Sequence, residues 1–245
     1  MSIVKSTVRS SRIYSDDRYP NRWLEGFGPD VIKFTGELQQ GMDGTTGYPN
    51  AFTTTVTEVG AGGSSDTAKA VIEGQLFLLT TDNADYDGHN LQLAGESFKL
   101  EAGKPAYFGI KFEIDDADQT DMFFGLAETD TTLMATGAAH AINLAGDGAF
   151  FSSLDGSLVV AFKAYDGGAE TNSAQCGTAL VDATAMTLEF YFDGENLMGY
   201  QNGKLVGTFT AGLPNTEITL SLNFRTGETT AQNLQIYWLR AIQAR

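Results

Sequence analysis

The chain has few of the residues that support cross-linking, metal or imidazole chemistry. Its 245 residues include one cysteine, Cys176, five prolines and two histidines. A single cysteine cannot form an intramolecular disulfide, which excludes a disulfide-stapled scaffold and a multi-cysteine zinc site. The longest apolar runs, residues 75–79 and 158–162, have the length of strands. A membrane-spanning helix needs about 20 apolar residues, so no membrane partner is expected. The first residues also lack the apolar stretch of a secretory signal peptide.

Positive charge is scarce as well. Lysine and arginine number 15 against 31 aspartates and glutamates, for a net charge of −16. Because nucleic-acid binding depends on cationic neutralisation of phosphates, a nucleic-acid partner is excluded. The imbalance is uneven: residues 1–33 hold six basic and four acidic residues (net +2), and residues 34–245 hold nine and 27 (net −18). This asymmetry favours a basic N-terminal arm that docks on a partner; a frayed terminus without a role is the alternative.

Glycine and strand-forming residues are plentiful. The chain has 28 glycines, and hydrophobic residues make up 42% of it. From about residue 51, short alternating segments are separated by turn signals such as Asp155-Gly156, Asp193-Gly194 and Asn202-Gly203, which favour tight hairpins. Residues 131–142 are the best candidate for a helix, and their period is weak. No strict repeat is visible, which argues against a solenoid or a propeller.

These patterns predict an all-β fold, an antiparallel two-sheet jelly-roll sandwich with an extended N-terminal arm. The predicted division assigns residues 1–33 to the basic arm and docking segment, residues 34–50 to a linker or loop, and residues 51–245 to the sandwich.

Two stretches carry a resemblance to known families. Residues 188–206 read as strand, Asp-Gly, strand, Asn-Gly and strand, which resembles concanavalin A-like lectin/glucanase and laminin-G-like jelly rolls. A second resemblance covers about residues 50–245. Its motifs are residues 74–84, 87–88, 91–93, 103–108, 112–117, 121–132 and 220–228. It is similar to a family of tailed-bacteriophage virion proteins built on this jelly roll, and such proteins resemble capsid decoration or cement proteins.

The virion resemblance implies a structural protein without enzymatic activity or cofactor. It would be made in the host cytoplasm and bind the major capsid protein on the outside of a phage head, where it stabilises capsomer contacts. A homodimer or homotrimer matched to a local symmetry axis is expected. The arginines of the arm are candidates for charge-assisted contacts to an acidic partner surface. The predicted capsid-binding residues are Lys5, Arg9, Arg12, Arg18, Arg22, Trp23 and Phe27.

Two alternatives remain open on this fold. One is a lectin-like module that binds a surface glycan through exposed aromatic rings. The candidates are Trp23, Tyr48, Tyr86, Tyr165 and Trp238, although alternation favours core packing for Trp238. The other is a glucanase-like glycoside hydrolase. Retaining glucanases of this fold resemble one another in a Glu-x-Asp-x-x-Glu strand. Glu113 and Asp115 match its first half, but Asp118 replaces the second glutamate, so a strand end followed by a solvated loop is favoured.

Other residues that could carry chemistry give weaker signals. Asp82, Asp85 and Asp87 crowd oxygen ligands that Ca²⁺ prefers, yet the spacing of a calcium loop is missing. Such residues commonly cap turns, and an ordinary turn is favoured here. His89 and His140 lie near no nucleophile motif. Cys176 has no histidine nearby in sequence, so an inert thiol is expected.

Overall fold

The computed structural model describes residues 3–8, 11–16, 25–27, 31–36, 51–57, 67–69, 77–135 and 140–244. Within them the chain forms eighteen strands and one 3-10 turn, Ala117–Gln119. The first nine strands are β1 Ile3–Val8, β2 Ser11–Asp16, β3 Glu25–Phe27, β4 Val31–Gly36, β5 Phe52–Thr57, β6 Thr67–Lys69, β7 Phe77–Thr80, β8 Gly88–Leu93 and β9 Ala106–Ile114. The others are β10 Thr120–Ala127, β11 Gly148–Ser153, β12 Ala161–Asp166, β13 Ala169–Gln175, β14 Met186–Phe192, β15 Leu197–Gln201, β16 Lys204–Phe209, β17 Thr219–Thr226 and β18 Asn233–Ala244.

Two large antiparallel sheets form the body of the molecule. The seven-stranded sheet has the order β13-β12-β11-β10-β17-β8-β5, and the eight-stranded sheet has the order β16-β15-β14-β9-β18-β7-β6, with β4 also paired to β18. Many neighbours in a sheet are distant in sequence, as expected of a jelly roll. The predicted all-β sandwich is therefore confirmed. In the described residues no helix is long and apolar enough to cross a membrane.

The core lies between the two sheets because alternate side chains of each strand point inward. In β10, Met122, Phe124 and Leu126 join this core, while Phe123 packs on the other face of the same strand. Phe190 from the eight-stranded sheet stacks near Phe162 from the seven-stranded sheet, with ring centroids 5.9 Å apart. Aromatic rings from both sheets thus fill the centre of the sandwich.

The tight turns follow the sequence signals. Asn202 and Gly203, which join β15 and β16, both have positive φ angles, 48° and 78°. Such a two-residue turn matches the right-handed twist of the strands that it connects. The weak helix predicted over residues 131–142 is wrong where the structure describes it. Met134 forms an isolated antiparallel bridge with Ile142, and Ala135 N donates to Ala141 O at 2.8 Å.

The N-terminal segment contributes strands of its own. Where the sequence predicts an extended arm, β1, β2 and β3 pair into a separate three-stranded sheet. The next strand, β4, pairs with residues 239–244 of β18, and Phe34 meets Phe52 edge-on at 5.3 Å. The predicted boundary at residue 33 thus falls inside β4, whose Ile32 and Phe34 side chains pack against the core of the sandwich. The predicted division into arm, linker and sandwich stays a prediction.

Candidate functional site

The outer face of the seven-stranded sheet is covered by a long connection. Residues 128–147 connect β10 to β11 and are called the β10–β11 loop; the described parts, residues 128–135 and 140–147, pack on this face. Their inner side is apolar, so it removes the aromatic rings of the sheet from water. The packed side chains are Leu133, Met134 and Leu144 of the loop and Phe123, Ala127 and Phe150 of the sheet.

Amide side chains of β8 bind the backbone of the loop where it leaves the sheet. Gln92 Nε2 donates to Glu128 O at 3.0 Å, and Gln92 Oε1 accepts from Asp130 N at 2.8 Å. Asn90 Nδ2 donates to Asp130 O at 2.7 Å. These bonds satisfy backbone groups that lie outside any strand. The β8 face therefore holds the first turn of the loop in a fixed register.

Asp147 anchors the other end of the loop. Its carboxylate accepts the backbone N–H groups of Gly167 at 2.7 Å, Asn215 at 2.7 Å and Thr216 at 3.1 Å. Burial acts to raise the pKa of Asp147, but these donors outweigh it and hold the pKa below its usual range. Backbone donors favour the charged form of a carboxylate. Three separate segments are thus joined at the base of the loop.

A buried ion pair ties down the middle of the loop. Asp121 in β10 is fully buried, and its Oδ2 accepts from Arg225 Nε at 2.6 Å and lies 2.9 Å from His140 Nδ1. Arg225 also donates to Ala135 O. Ala135 and His140 flank residues 136–139, so one carboxylate–guanidinium pair holds both sides of the loop. Asp121, Arg225 and His140 are called the clasp.

Further groups surround the clasp at the same end of the sheet. The ring of Tyr86 stacks on His140 with centroids 4.6 Å apart. His140 Nε2 lies 3.7 Å from Asp155 Oδ2 and 3.9 Å from Asp85 Oδ1. Burial raises the pKa of Asp155, against the lowering effect of His140. The clasp is therefore set in an acidic environment.

An open groove runs between the β10–β11 loop and strands β12 and β13. It has a volume of about 610 Å³. One aromatic residue, Tyr165, lines it together with several polar residues. The polar side chains that line it are Thr129, Asp130, Thr132, Asn143 and Glu170.

The groove residues are held in place by their own contacts. Asp130 Oδ1 accepts from the backbone N–H and the hydroxyl of Thr132 at 2.7 and 2.9 Å, and Oδ2 accepts from Ala145 N at 3.2 Å. Asn143 Nδ2 donates to Thr132 O at 3.2 Å. These bonds join the outgoing and returning halves of the loop. One wall of the groove is therefore fixed before any ligand binds.

The opposite wall is built on β12 and β13. Tyr165 rests against Phe150, with ring centroids 5.2 Å apart. Burial raises the pKa of Tyr165, and Glu170 raises it further through its charge and a hydrogen bond. Lys163 Nζ pairs with Glu170 Oε2 at 2.6 Å. The wall thus presents a neutral phenol beside a carboxylate that already has a cationic partner.

The predicted capsid-binding residues are not brought into this site. Arg9, Arg18, Arg22 and Trp23 lie outside the described residues, as does Tyr48. For those in strands β1 to β3 only the backbone is described; they are Lys5, Arg12 and Phe27. Their docking role stays a prediction.

The candidate calcium residues act in turn and loop contacts. Asp82 Oδ1 accepts the N–H of Asn83 at 2.7 Å, and Asp87 is buried. Asp85 contacts His140. Over the part of the chain that the structure describes, no three His, Cys, Asp or Glu side chains are placed to hold a metal ion.

The glucanase-like motif lies away from the groove. Glu113 is in β9 of the eight-stranded sheet, where it accepts a hydrogen bond from Tyr237 Oη at 2.7 Å. Asp115 accepts from Asn233 Nδ2 at the end of that strand. Asp118 lies beside Asp116; burial and the contact with Asp118 raise the pKa of Asp116 to about 6. Glu113 thus stands on a different sheet from Tyr165, and none of these carboxylates lines the groove.

The remaining candidates have structural surroundings. Cys176 is buried, and burial raises the pKa of its thiol to about 12, so the thiolate is scarce at neutral pH. The buried His89 reaches Thr80 O at 2.9 Å. Trp238 is half-buried in β18, next to Arg240 at 5.5 Å.

The sequence pointed to Tyr165 as a candidate aromatic residue but gave no signal for Asp130, Asn143 and Glu170. These residues come together only through the path of the β10–β11 loop.

Comparison with known proteins gives a fold and no family. Neither a family model nor a curated protein matches the chain. Among solved structures, the Bacillus licheniformis beta-glucanase has 14% identity and a TM-score of 0.55, over 85% of this chain and 97% of that one. The Emp47p carbohydrate recognition domain has 14% identity and a TM-score of 0.54, over 84% and 94%. The Thermotoga maritima laminarinase catalytic domain has 14% identity and a TM-score of 0.51, over 73% and 81%.

These similarities correct one expectation. The prediction that the protein is not an enzyme is contradicted, because glycoside hydrolases are among the structures that it resembles. The structures named above do not include a phage virion protein. The sandwich, its sheet order and its neighbours together show that the chain has a concanavalin A-like jelly-roll fold, the architecture shared by carbohydrate recognition domains and glucanases.

Proposed function

We propose that the protein binds carbohydrate in the groove beside the β10–β11 loop. One observation carries the proposal: a half-buried aromatic residue, Tyr165, lines an open groove of about 610 Å³ together with Asp130, Thr132 and Asn143. A sugar ring has apolar C–H faces and a rim of hydroxyl groups. An aromatic side chain packs against such a face, and a few fixed polar groups orient the hydroxyls.

The groove is preorganised for this task. The hydrogen bonds of Asp130 fix the loop backbone on one wall, and Phe150 supports the Tyr165 ring on the other. A wall that is already ordered loses little conformational entropy when a ligand binds. The fold-level similarity to a carbohydrate recognition domain agrees with this function by analogy.

Hydrolysis of the bound sugar is a second candidate. Two carboxylates, Asp130 and Glu170, line the groove, and glycosidases work with a pair of carboxyl groups. Both are engaged within the protein, Asp130 by backbone donors and Glu170 by Lys163. We therefore place binding first. Release of reducing ends from β-glucans by the wild type, with loss of turnover in Glu170→Gln, would establish hydrolysis.

Capsid decoration remains a separate prediction. It is supported by the sequence resemblance and by the contrast between the +2 segment and the −18 remainder. Binding of the purified chain to phage heads, followed by electron microscopy, would test it. Glycan binding and a position on a virion are compatible with each other.

The proposed function is tested by glycan-array screening followed by calorimetry on the best neutral glycan. Tyr165→Ala removes the ring and should weaken binding about tenfold or more, whereas Tyr165→Phe keeps the ring and should bind more tightly than Tyr165→Ala. Tyr237→Ala is the matched control, because this tyrosine lies on the eight-stranded sheet. Equal binding by the wild type and Tyr165→Ala would refute the groove as the site.

A further inference from the structure

We propose that the groove selects sugars that are uncharged or positively charged and rejects sugars with carboxylate or sulfate groups. This proposal rests on the proposed function and names its substrate class. The ionisable side chains on the described lining of the groove, apart from the Tyr165 phenol, are the carboxylates of Asp130 and Glu170; none there is a lysine, an arginine or a histidine.

The cation on the strand that carries Tyr165 is engaged by a carboxylate of the protein. Lys163 Nζ, in β12, lies 2.6 Å from Glu170 Oε2. Proteins recognise sulfate and carboxylate groups with arginine or lysine side chains that point at them. An acidic sugar in the groove would therefore meet the Asp130 carboxylate and a Glu170 carboxylate that already engages Lys163.

The hydrogen-bonding character of the groove leads to the same conclusion. Ionised carboxylates only accept hydrogen bonds, and Asp130 and Glu170 are the charged groups of the lining. Sugar hydroxyl and ammonium groups bring the donors that such acceptors need. A sulfate or a sugar carboxylate brings further acceptors, so it gains no bond from these residues and must lose its own hydration.

The charge of the molecule adds to this local effect. Residues 34–245 have a net charge of −18, and a field of one sign lowers the local concentration of ligands of the same sign. Two like charges about 4 Å apart in a partly solvated groove repel enough to weaken binding by about tenfold. We expect acidic glycans to bind at least about tenfold more weakly than their neutral counterparts.

The test uses glycan pairs that differ in one charged group. Galactose-terminated and glucose-terminated oligosaccharides are compared with their 6-sulfated and 6-carboxylated forms, and N-acetylglucosamine oligomers with their deacetylated, cationic forms. Binding is measured by array and then by calorimetry at low salt, where charge effects are least screened. The neutral and cationic members should bind, and the acidic members should lose about tenfold or more.

One variant tests the source of the selectivity. Glu170→Gln removes a lining carboxylate and leaves Lys163 unpaired, so affinity for the acidic members should rise about tenfold. Glu195→Gln is the matched control, because Glu195 is an exposed carboxylate on the turn after β14 and does not line the groove. It should leave the ratio of neutral to acidic binding unchanged.

The outcomes separate this inference from the function on which it rests. If acidic members bind as tightly as neutral ones through Tyr165, the selectivity is refuted while carbohydrate binding stands. If Glu170→Gln leaves the ratio of neutral to acidic binding unchanged, Glu170 does not cause the selectivity and the inference is refuted. If no glycan of any charge binds, the proposed function is refuted and the selectivity with it.

Discussion

Single residues set the limits on what the core and the loops tolerate. Gly199 of β15 lies directly under an aromatic ring: a Cβ added there would stand 2.3 Å from Cδ1 of Phe162. Phe162 is fixed by stacking on Phe209 at 4.7 Å and on Phe151 at 4.9 Å. Because these stacked rings hold Phe162 in place, a side chain at residue 199 would clash with it, which explains glycine at this position.

Gly199→Ala should therefore destabilise the protein by about 1–3 kcal/mol, the usual cost of overpacking a core. Urea unfolding at a constant m-value measures the change. Gly177→Ala is the control, because a Cβ there meets no atom within 4 Å and should leave the free energy of unfolding nearly unchanged. Equal stability of the two variants would show that the Phe162 ring can move aside.

A carboxyl group at the end of β9 should make stability depend on pH. Burial, Asp118, Asp182 and Glu228 raise the pKa of Asp116 to about 6, from 3.8. A raised acid pKa destabilises the folded protein above the folded pKa, and the penalty disappears as pH falls below the unfolded value. Asp116→Asn should therefore be more stable than the wild type at pH 8.

The expected gain for Asp116→Asn is about 1 kcal/mol at pH 8, less than the pKa shift alone implies because water reaches this side chain. It should vanish below about pH 4. The two proteins must be compared at each pH, since His89, whose pKa burial lowers to about 4, destabilises the fold in both as pH falls below 6.5. A gain that is the same at pH 8 and pH 4 would exclude a charge effect.

At the scale of elements, the β10–β11 loop is the feature that distinguishes the face of the seven-stranded sheet. Its apolar side chains pack on Phe123 and Phe150, and the clasp holds its middle. Removing Asp121 would leave Arg225 buried without its anion, which costs about 3–5 kcal/mol. Replacing His140 should cost less stability, because its side chain is partly exposed and its loss leaves the Asp121–Arg225 pair intact.

His140→Ala should loosen the loop without unfolding the sandwich. Hydrogen exchange at Ala135 and Asn143, whose amides bond across the loop, should become about tenfold faster as local opening costs less. Amides of β14, in the other sheet, provide the internal control and should exchange as in the wild type. Unchanged exchange at Ala135 would mean that apolar packing alone holds the loop.

At the scale of the whole molecule, the position of β4 decides where the sandwich begins. Its pairing with β18 spans residues 31–36 and 239–244. A chain that begins at residue 31 retains this pairing, whereas one that begins at residue 37 leaves an edge of β18 without its partner. We expect the first truncation to melt higher than the second by several degrees. Equal melting temperatures would show that β4 contributes nothing to the sandwich.

Local signals in the sequence predicted the architecture and left the long-range pairings open. Alternation and turn pairs such as Asn202-Gly203 act over a few residues, so strands and hairpins could be predicted from them. The pairing of β4 with β18 joins segments about 200 residues apart, and no local pattern encodes it. Likewise Tyr165 was recognised as a candidate aromatic, but its meeting with Asp130 and Asn143 depends on how the β10–β11 loop crosses the sheet.

The location of bound sugar on the protein is the decisive measurement for carbohydrate binding in the groove. Backbone amide shifts of the isotope-labelled full-length chain are followed by NMR while the best neutral glycan from the array is added. We expect saturable shifts within residues 129–132, 142–145 and 165–170, the segments that contain the groove lining, and none around Tyr237 on the eight-stranded sheet. Shifts confined to the eight-stranded sheet, or no shift at a saturating glycan concentration, would contradict it.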